Sequence, residues 1–225
     1  MNTLNRRCSS SLGKKYVMAV TGLALFGFVV AHMVGNLQIF LGREILNGYG
    51  AFLKSKPLLL WGARLGLICL VSLHVWAAIR LTQDNRAARP VAYAVQASIS
   101  ASYASRTMLM SGLIVASFIV FHLMHFTLGG VDPEFLEFRD GAGRHDVYRM
   151  VVAGFSTPIV SIFYFVGMAL LCLHLSHGVS ALFQSLGLRT GHWVRAIDLF
   201  AKAAALTIFV GNCSIPLAVL IGLLK

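Results

Sequence analysis

Six histidines fall inside stretches of this chain that otherwise read as fit for hydrocarbon: His32, His74, His122, His125, His174 and His177. An imidazole there can ligate a metal, relay a proton or serve as a hydrogen-bonded packing group. Unpartnered polar atoms in an apolar medium cost on the order of 1–3 kcal/mol, so each ring needs something to hold it. One isolated intramembrane histidine is most often a packing or relay residue. Four at matched depths point instead to metal ligation. His145 and His192 fall in predicted loops and read as solvated surface groups.

The elements that carry these rings follow from composition. The chain is 57% hydrophobic and 12% charged, with a mean hydropathy of +0.76. A soluble domain of that make-up would expose large apolar patches. A bilayer-crossing helix needs about 20 mostly apolar residues, and five windows qualify: about 15–40, 58–81, 108–128, 158–183 and 199–224. The expected fold is an all-α membrane protein, a single integral domain over residues 1–225 with five transmembrane helices in one bundle. The first apolar run is too long for a signal-peptide core and lacks an Ala-x-Ala site, so it is predicted to stay as the first span. Cys8, Cys69, Cys172 and Cys213 are scattered, without the Cys-x-x-Cys spacing of a zinc knuckle or the Cys-x-x-Cys-His of covalent haem attachment.

With five spans the N-terminus and the second and fourth connections share one side. That side carries Arg6, Arg7, Lys14, Lys15, Arg80, Arg86, Arg89, Arg106, Arg189, Arg195 and Lys202, and the positive-inside bias makes it cytoplasmic. The N-terminus is therefore expected inside and the C-terminus outside. The opposite side offsets its cations with Glu44, Asp132, Glu134, Glu137, Asp140 and Asp146. The formal net charge of +11 is thus mainly a topology signal, and because it is spread over loops it argues against nucleic-acid binding. The third connection, "GGVDPEFLEFRDGAGRHDVYRM", should cap the outer face with a short helix near His145 to Ala153. The second continues as "VAYAVQASISASYAS", which reads as a short helix, either lying on the cytoplasmic surface or docking to another subunit. No internal repeat stands out. Apart from Glu44 and Asp198 near helix ends, no carboxylate falls inside a span, which weakens a transporter reading.

Depth sorts the histidines. His32 lies about 17 residues past Lys15, roughly 26 Å at ~1.5 Å per residue, and His122 about 16 residues past Arg106, roughly 24 Å. Helices two and four run the other way, which puts His74 and His174 near the inner side. Four helices thus contribute one histidine each, as an outer pair and an inner pair. Two bis-imidazole b-type haems require that arrangement, since each iron takes one nitrogen from either side and the second ring nitrogen is left to orient the ligand. Gly27, Ala31 and Gly35 beside His32 would leave room for a flat macrocycle, although the same spacing serves ordinary helix packing. By spacing alone His125 and His177, one turn beyond His122 and His174, are alternative ligands.

The segments "AHMVGNLQIFLG" (31–42), "SLHVWAAIRL" (72–81), "SRTMLMSG" with "FIVFHLMHFT" (105–127) and "CLHLSHGVSALFQSLG" (172–187) resemble the cytochrome b558 family. That family is the five-helix, di-haem membrane anchor of succinate:quinone oxidoreductases, including fumarate reductases. The resemblance runs from about residue 11 to 224. It implies His32 and His122 as ligands of a distal haem and His74 and His174 as ligands of a proximal one, without need of His125 or His177.

It further implies a flavoprotein subunit and an iron–sulfur subunit on the cytoplasmic side, a bacterial inner membrane, and transfer of electrons to a quinone, expected to be menaquinone, near the distal haem. The chain alone would then carry no succinate chemistry. Asn36, Gln38, Glu44, Tyr49 and Arg64 are polar groups at suitable depth for the quinone, though each also fits simple interfacial hydrogen bonding. Lys15 and Arg106 are candidates for proximal haem propionates. A di-haem cytochrome b for another dehydrogenase, such as a hydrogenase or formate dehydrogenase, is the alternative reading, and a haem-free helical protein ranks third.

Overall fold

The computed structural model describes residues 10–88 and 108–225. Among them the chain forms seven α-helices: α1 (Ser11–Leu37), α2 (Arg43–Lys54), α3 (Pro57–Ala87), α4 (Met108–Phe126), α5 (Val147–Phe155), α6 (Pro158–Ser185) and α7 (Trp193–Leu220). Five of them, α1, α3, α4, α6 and α7, are long and apolar enough to cross a membrane. The short helix expected from the second connection lies outside the described residues, as does Arg106.

Local chemistry sets the helix ends. Ser10 caps α1 by accepting from the Gly13 amide, and proline occupies the first turn of α3 and α6, where its missing N–H costs nothing. At the end of α7, Gly222 takes φ 74° and the Leu223 amide reaches back to the Ala218 carbonyl at 2.8 Å, a glycine-dependent stop. Two spans outrun the apolar windows: α3 continues to Ala87 and α7 begins at Trp193. The extra turns are polar and are tied down rather than buried. Lys14 pairs with Asp84 at 2.6 Å, and Asp198 accepts from Ser180 at 2.6 Å and from Arg189 at 2.8 Å.

The bundle core lies between α1, α4, α6 and α7, where Met33, Phe118, Tyr164, Met168, Ile208 and Cys213 pack into one cluster. Large apolar side chains such as Leu23, Leu65, Ile68, Val120, Val166 and Val210 stay exposed on the outside, as expected where the solvent is lipid. The α1 start marks the near end of the bundle; the opposite, far end is closed by α2, α5 and the segment between α4 and α5. The short helix predicted near His145 to Ala153 forms as α5, capped by Asp146, which accepts from the Arg149 amide at 3.1 Å.

Asp146 is fully buried. It binds Arg43, and it accepts from Asn47 at 2.9 Å, so it ties α5 to α2. Burial pushes its carboxyl up, but the bonds from Arg43, Asn47 and the Arg149 amide outweigh burial and hold it down at about 2. Arg144 adds an outer layer by bridging Asp140 at 2.8 Å and Glu44 at 2.7 Å.

Candidate functional site

The four helices α1, α3, α4 and α6 bring their histidines together two by two. The His32 and His122 rings lie 5.8 Å apart, centre to centre, with planes crossing at 86°. The His74 and His174 rings lie 6.5 Å apart at 69°. An imidazole nitrogen sits about 2.0–2.1 Å from a first-row metal and about 1.1 Å from its own ring centre, so two imidazoles on opposite sides of one metal have centres roughly 6.3 Å apart. Both observed pairs bracket that spacing. Among the described residues no three or more His, Cys, Asp or Glu side chains gather into a metal-ion site. Each tier offers two protein nitrogens, the number a porphyrin leaves for the protein to supply.

The hydrogen bonds fix which nitrogen each near-end ring leaves free. Thr21 on α1 donates its single hydroxyl proton to the Val17 carbonyl at 2.7 Å and sits 3.0 Å from His74 Nδ1. With that proton assigned to Val17, its oxygen accepts from His74 Nδ1–H, which leaves the Nε2 lone pair unused. Ser111 on α4 repeats the arrangement: it donates to the Met108 carbonyl at 3.1 Å and lies 3.2 Å from His174 Nδ1. The glycine that follows each hydroxyl admits the ring. A Cβ on Gly22 would stand 3.3 Å from His74 Cε1, and one on Gly112 would stand 3.3 Å from His174 Cε1.

At the far-end pair, His32 stacks on Phe28 at 5.3 Å, and His122 Nδ1 lies 3.2 Å from the Tyr164 hydroxyl. Phe118, pressed onto the backbone of Gly167, stacks against His122 at 6.3 Å. Gly27, one turn from Ala31, faces open space, whereas Gly35 is filled by the Tyr49 ring, 3.1 Å from where its Cβ would stand. Of these two glycines, Gly27 alone leaves space beside it. The ring that meets His32 is that of His122; His125 points away from the pair and is 1% exposed among Phe121, Phe126 and Phe135. His177 lies one turn beyond His174, with Arg189 and Asp198 as its electrostatic neighbours.

The remaining candidates scatter. Glu44 is exposed and held by both guanidinium nitrogens of Arg144, at 2.9 and 2.7 Å; these bonds hold its carboxyl below the usual range. Arg64 stacks over Trp61 at 5.0 Å. Asn36 in the last turn of α1 and Gln38 just after it are half-buried, and Lys15 is exposed near the start of α1. His145 is half-buried in the far-end cap and His192 is exposed.

No known family model, curated protein or solved structure matches this chain.

Thr21, Ser111 and Tyr164 escaped the sequence reading, yet two of them carry a signal. "TGLALFGFVVAH" (21–32) and "SGLIVASFIVFH" (111–122) share a hydroxyl–glycine pair followed by histidine at the same interval. This is an internal repeat between α1 and α4, too short and too apolar to stand out before the ring contacts reveal its purpose. Each copy backs one histidine at the near tier and presents its own at the far tier.

Proposed function

We propose that this chain is a di-haem cytochrome b, the membrane anchor of a succinate:quinone oxidoreductase or fumarate reductase. The observation that carries the reading is the pair of imidazole tiers, each at the spacing of a bis-ligated metal and, at the near end, each with a hydroxyl that leaves Nε2 free. His74 and His174 would hold the proximal haem, His32 and His122 the distal one. Bound there, the haems supply reversible one-electron transfer.

The chain's own residues do the rest. Thr21 and Ser111 orient the proximal imidazoles, and the helices hold the tiers about 16 Å apart by roughly three turns of rise. Apolar packing around Phe118 and Met168 excludes water. The near end, with Lys15, Arg80, Arg86, Arg195 and Lys202 on or beside its spans, would face the cytoplasm of a bacterial inner membrane and dock the iron–sulfur and flavoprotein subunits. Electrons would pass from the proximal to the distal haem and on to a quinone, menaquinone by resemblance, at the far end.

The test is a dithionite-reduced minus oxidised spectrum of the purified chain, with pyridine haemochrome quantitation. Two b-type haems per polypeptide are expected, together with co-purifying flavin and iron–sulfur subunits. A well-folded, colourless chain made with haem available would refute the proposal.

A further inference from the structure

His125 and His177 are the span histidines that neither tier uses, and among the described residues His125 Nε2 is the one buried side-chain polar atom with no hydrogen-bond partner. That nitrogen faces Asp132 Oδ2 at 3.6 Å. Its other nitrogen, Nδ1, lies 3.1 Å from the Tyr164 hydroxyl, the same oxygen that stands 3.2 Å from His122 Nδ1. One hydroxyl with one proton therefore links two imidazoles, donating to one and accepting from the other.

Asp132 decides the direction. A carboxylate opposite Nε2 is attracted to an N–H and repelled by a lone pair, so His125 carries its proton on Nε2 and its Nδ1 is an acceptor. Nδ1 then takes the Tyr164 proton. The Tyr164 oxygen, having given its proton away, accepts from His122 Nδ1–H, and His122 Nε2 is left with the lone pair that a metal needs. Reversing the chain would set two lone pairs against each other at Asp132 and place a proton on His122 Nε2, where no metal could bind. His32, with no hydrogen bond to its ring among the described residues, supplies no such constraint from the other side.

We infer that His125 and Tyr164 are positioning residues that hold His122 in its ligating tautomer, with Asp132 as the terminal group that sets the polarity of the His122–Tyr164–His125 chain. The inference rests on the di-haem reading for the identity of the metal group. It predicts that the distal centre is tuned through residues that touch no haem. An N–H···O bond from a ligating imidazole raises its basicity, which favours the oxidised iron. Breaking the chain therefore raises the distal potential.

The experiment is a redox titration of the wild-type complex and of Tyr164→Phe, His125→Leu and His125→Asn, with haem content measured on each. Tyr164→Phe should weaken distal haem retention by about 10–100-fold. In the haem that remains, the oxidised-to-reduced balance should shift about tenfold, or ~59 mV for one electron, with the proximal potential unchanged. His125→Leu should move the distal potential in the same direction. His125→Asn, whose Oδ1 replaces the Nδ1 acceptor, should restore it. If Tyr164→Phe loses the distal haem altogether, the contrast between the two His125 variants decides. Equal behaviour of Leu and Asn, or a Tyr164→Phe protein with both haems and both potentials intact, overturns the inference and leaves the di-haem reading standing. A wild-type chain without haem overturns both. Nitrogen-15 spectra of the histidine-labelled chain give an independent reading: a proton on Nδ1 of His125 reverses the chain and refutes its assigned polarity.

Discussion

Replacing Thr21 with valine keeps the shape of a buried side chain and removes one oxygen. That oxygen accepts from His74 Nδ1–H at 3.0 Å, and the Met18 carbonyl also faces the ring. Losing the hydroxyl therefore costs at most the ~1–3 kcal/mol of a wholly unsatisfied buried donor. Loss of the orienting partner of a metal-bound imidazole typically lowers affinity 10–100-fold, which is ~1.4–2.8 kcal/mol at 1.4 kcal/mol per tenfold. The two routes to the magnitude agree. The assay is haem retention under competition with a haem-binding apoprotein, with a redox titration of the same samples. Thr21→Val should bind the proximal haem about 10–100-fold more weakly, while the distal signal stays in place. Ser111→Ala should act on the same centre through the opposite ring. If Thr21→Val keeps the wild-type affinity and proximal potential, then the hydroxyl does not orient a ligand and the tautomer argument fails at its first step.

Four further outcomes follow from the geometry. Asp146→Ala strips the partner from Arg43, Asn47 and the Arg149 amide, and with Arg43 half exposed it should destabilise the far end by about 1–3 kcal/mol, seen as a lower Tm or faster proteolysis of the 127–157 segment. Because the folded carboxyl is depressed from 3.8 to about 2, the stability it contributes is fully present above pH 3.8 and is lost as pH falls through 2; the protection of the Tyr148 amide, bound to Asn47 at 2.9 Å, relative to its intrinsic exchange rate should therefore be unchanged between pH 7 and 5. Gly167→Ala would put a methyl 2.4 Å from Phe118 Cδ2, an overpacking of about 1–3 kcal/mol that should disturb the distal absorption band and spare the proximal one. Glu44→Gln should leave quinone turnover within about twofold, since a carboxyl kept ionised by Arg144 is a poor proton donor at neutral pH; a collapse of turnover would place Glu44 in the proton route.

The parts of this fold that could be read from the chain are those set by the solvent and by helical rise. Apolar length located the five spans, and counting residues from the basic flanks paired His32 with His122 and His74 with His174, the rings that the structure brings together. The span ends were less legible, because α3 and α7 continue through charged turns held by Lys14–Asp84 and Asp198–Arg189, contacts between residues far apart or on neighbouring helices. The role of Tyr164 depends on which face of α6 meets α4, and no count along one helix reports a rotation. The Asp146 clamp joins residues about a hundred positions apart and has no local signature at all.

The shared interval in α1 and α4 makes each of these helices a measuring rod. One rigid rod carries a contact for a histidine of the lower tier at one end and a histidine of the upper tier at the other, and a single inserted residue between them would turn the two ends about 100° out of register. Neither centre can therefore drift alone: a shift of α1 or α4 is felt at both levels at once. On the di-haem reading, the vertical gap that an electron would cross is written into covalent backbone rather than left to loops, subunit docking or lipid thickness, and it should stay constant while everything around it breathes.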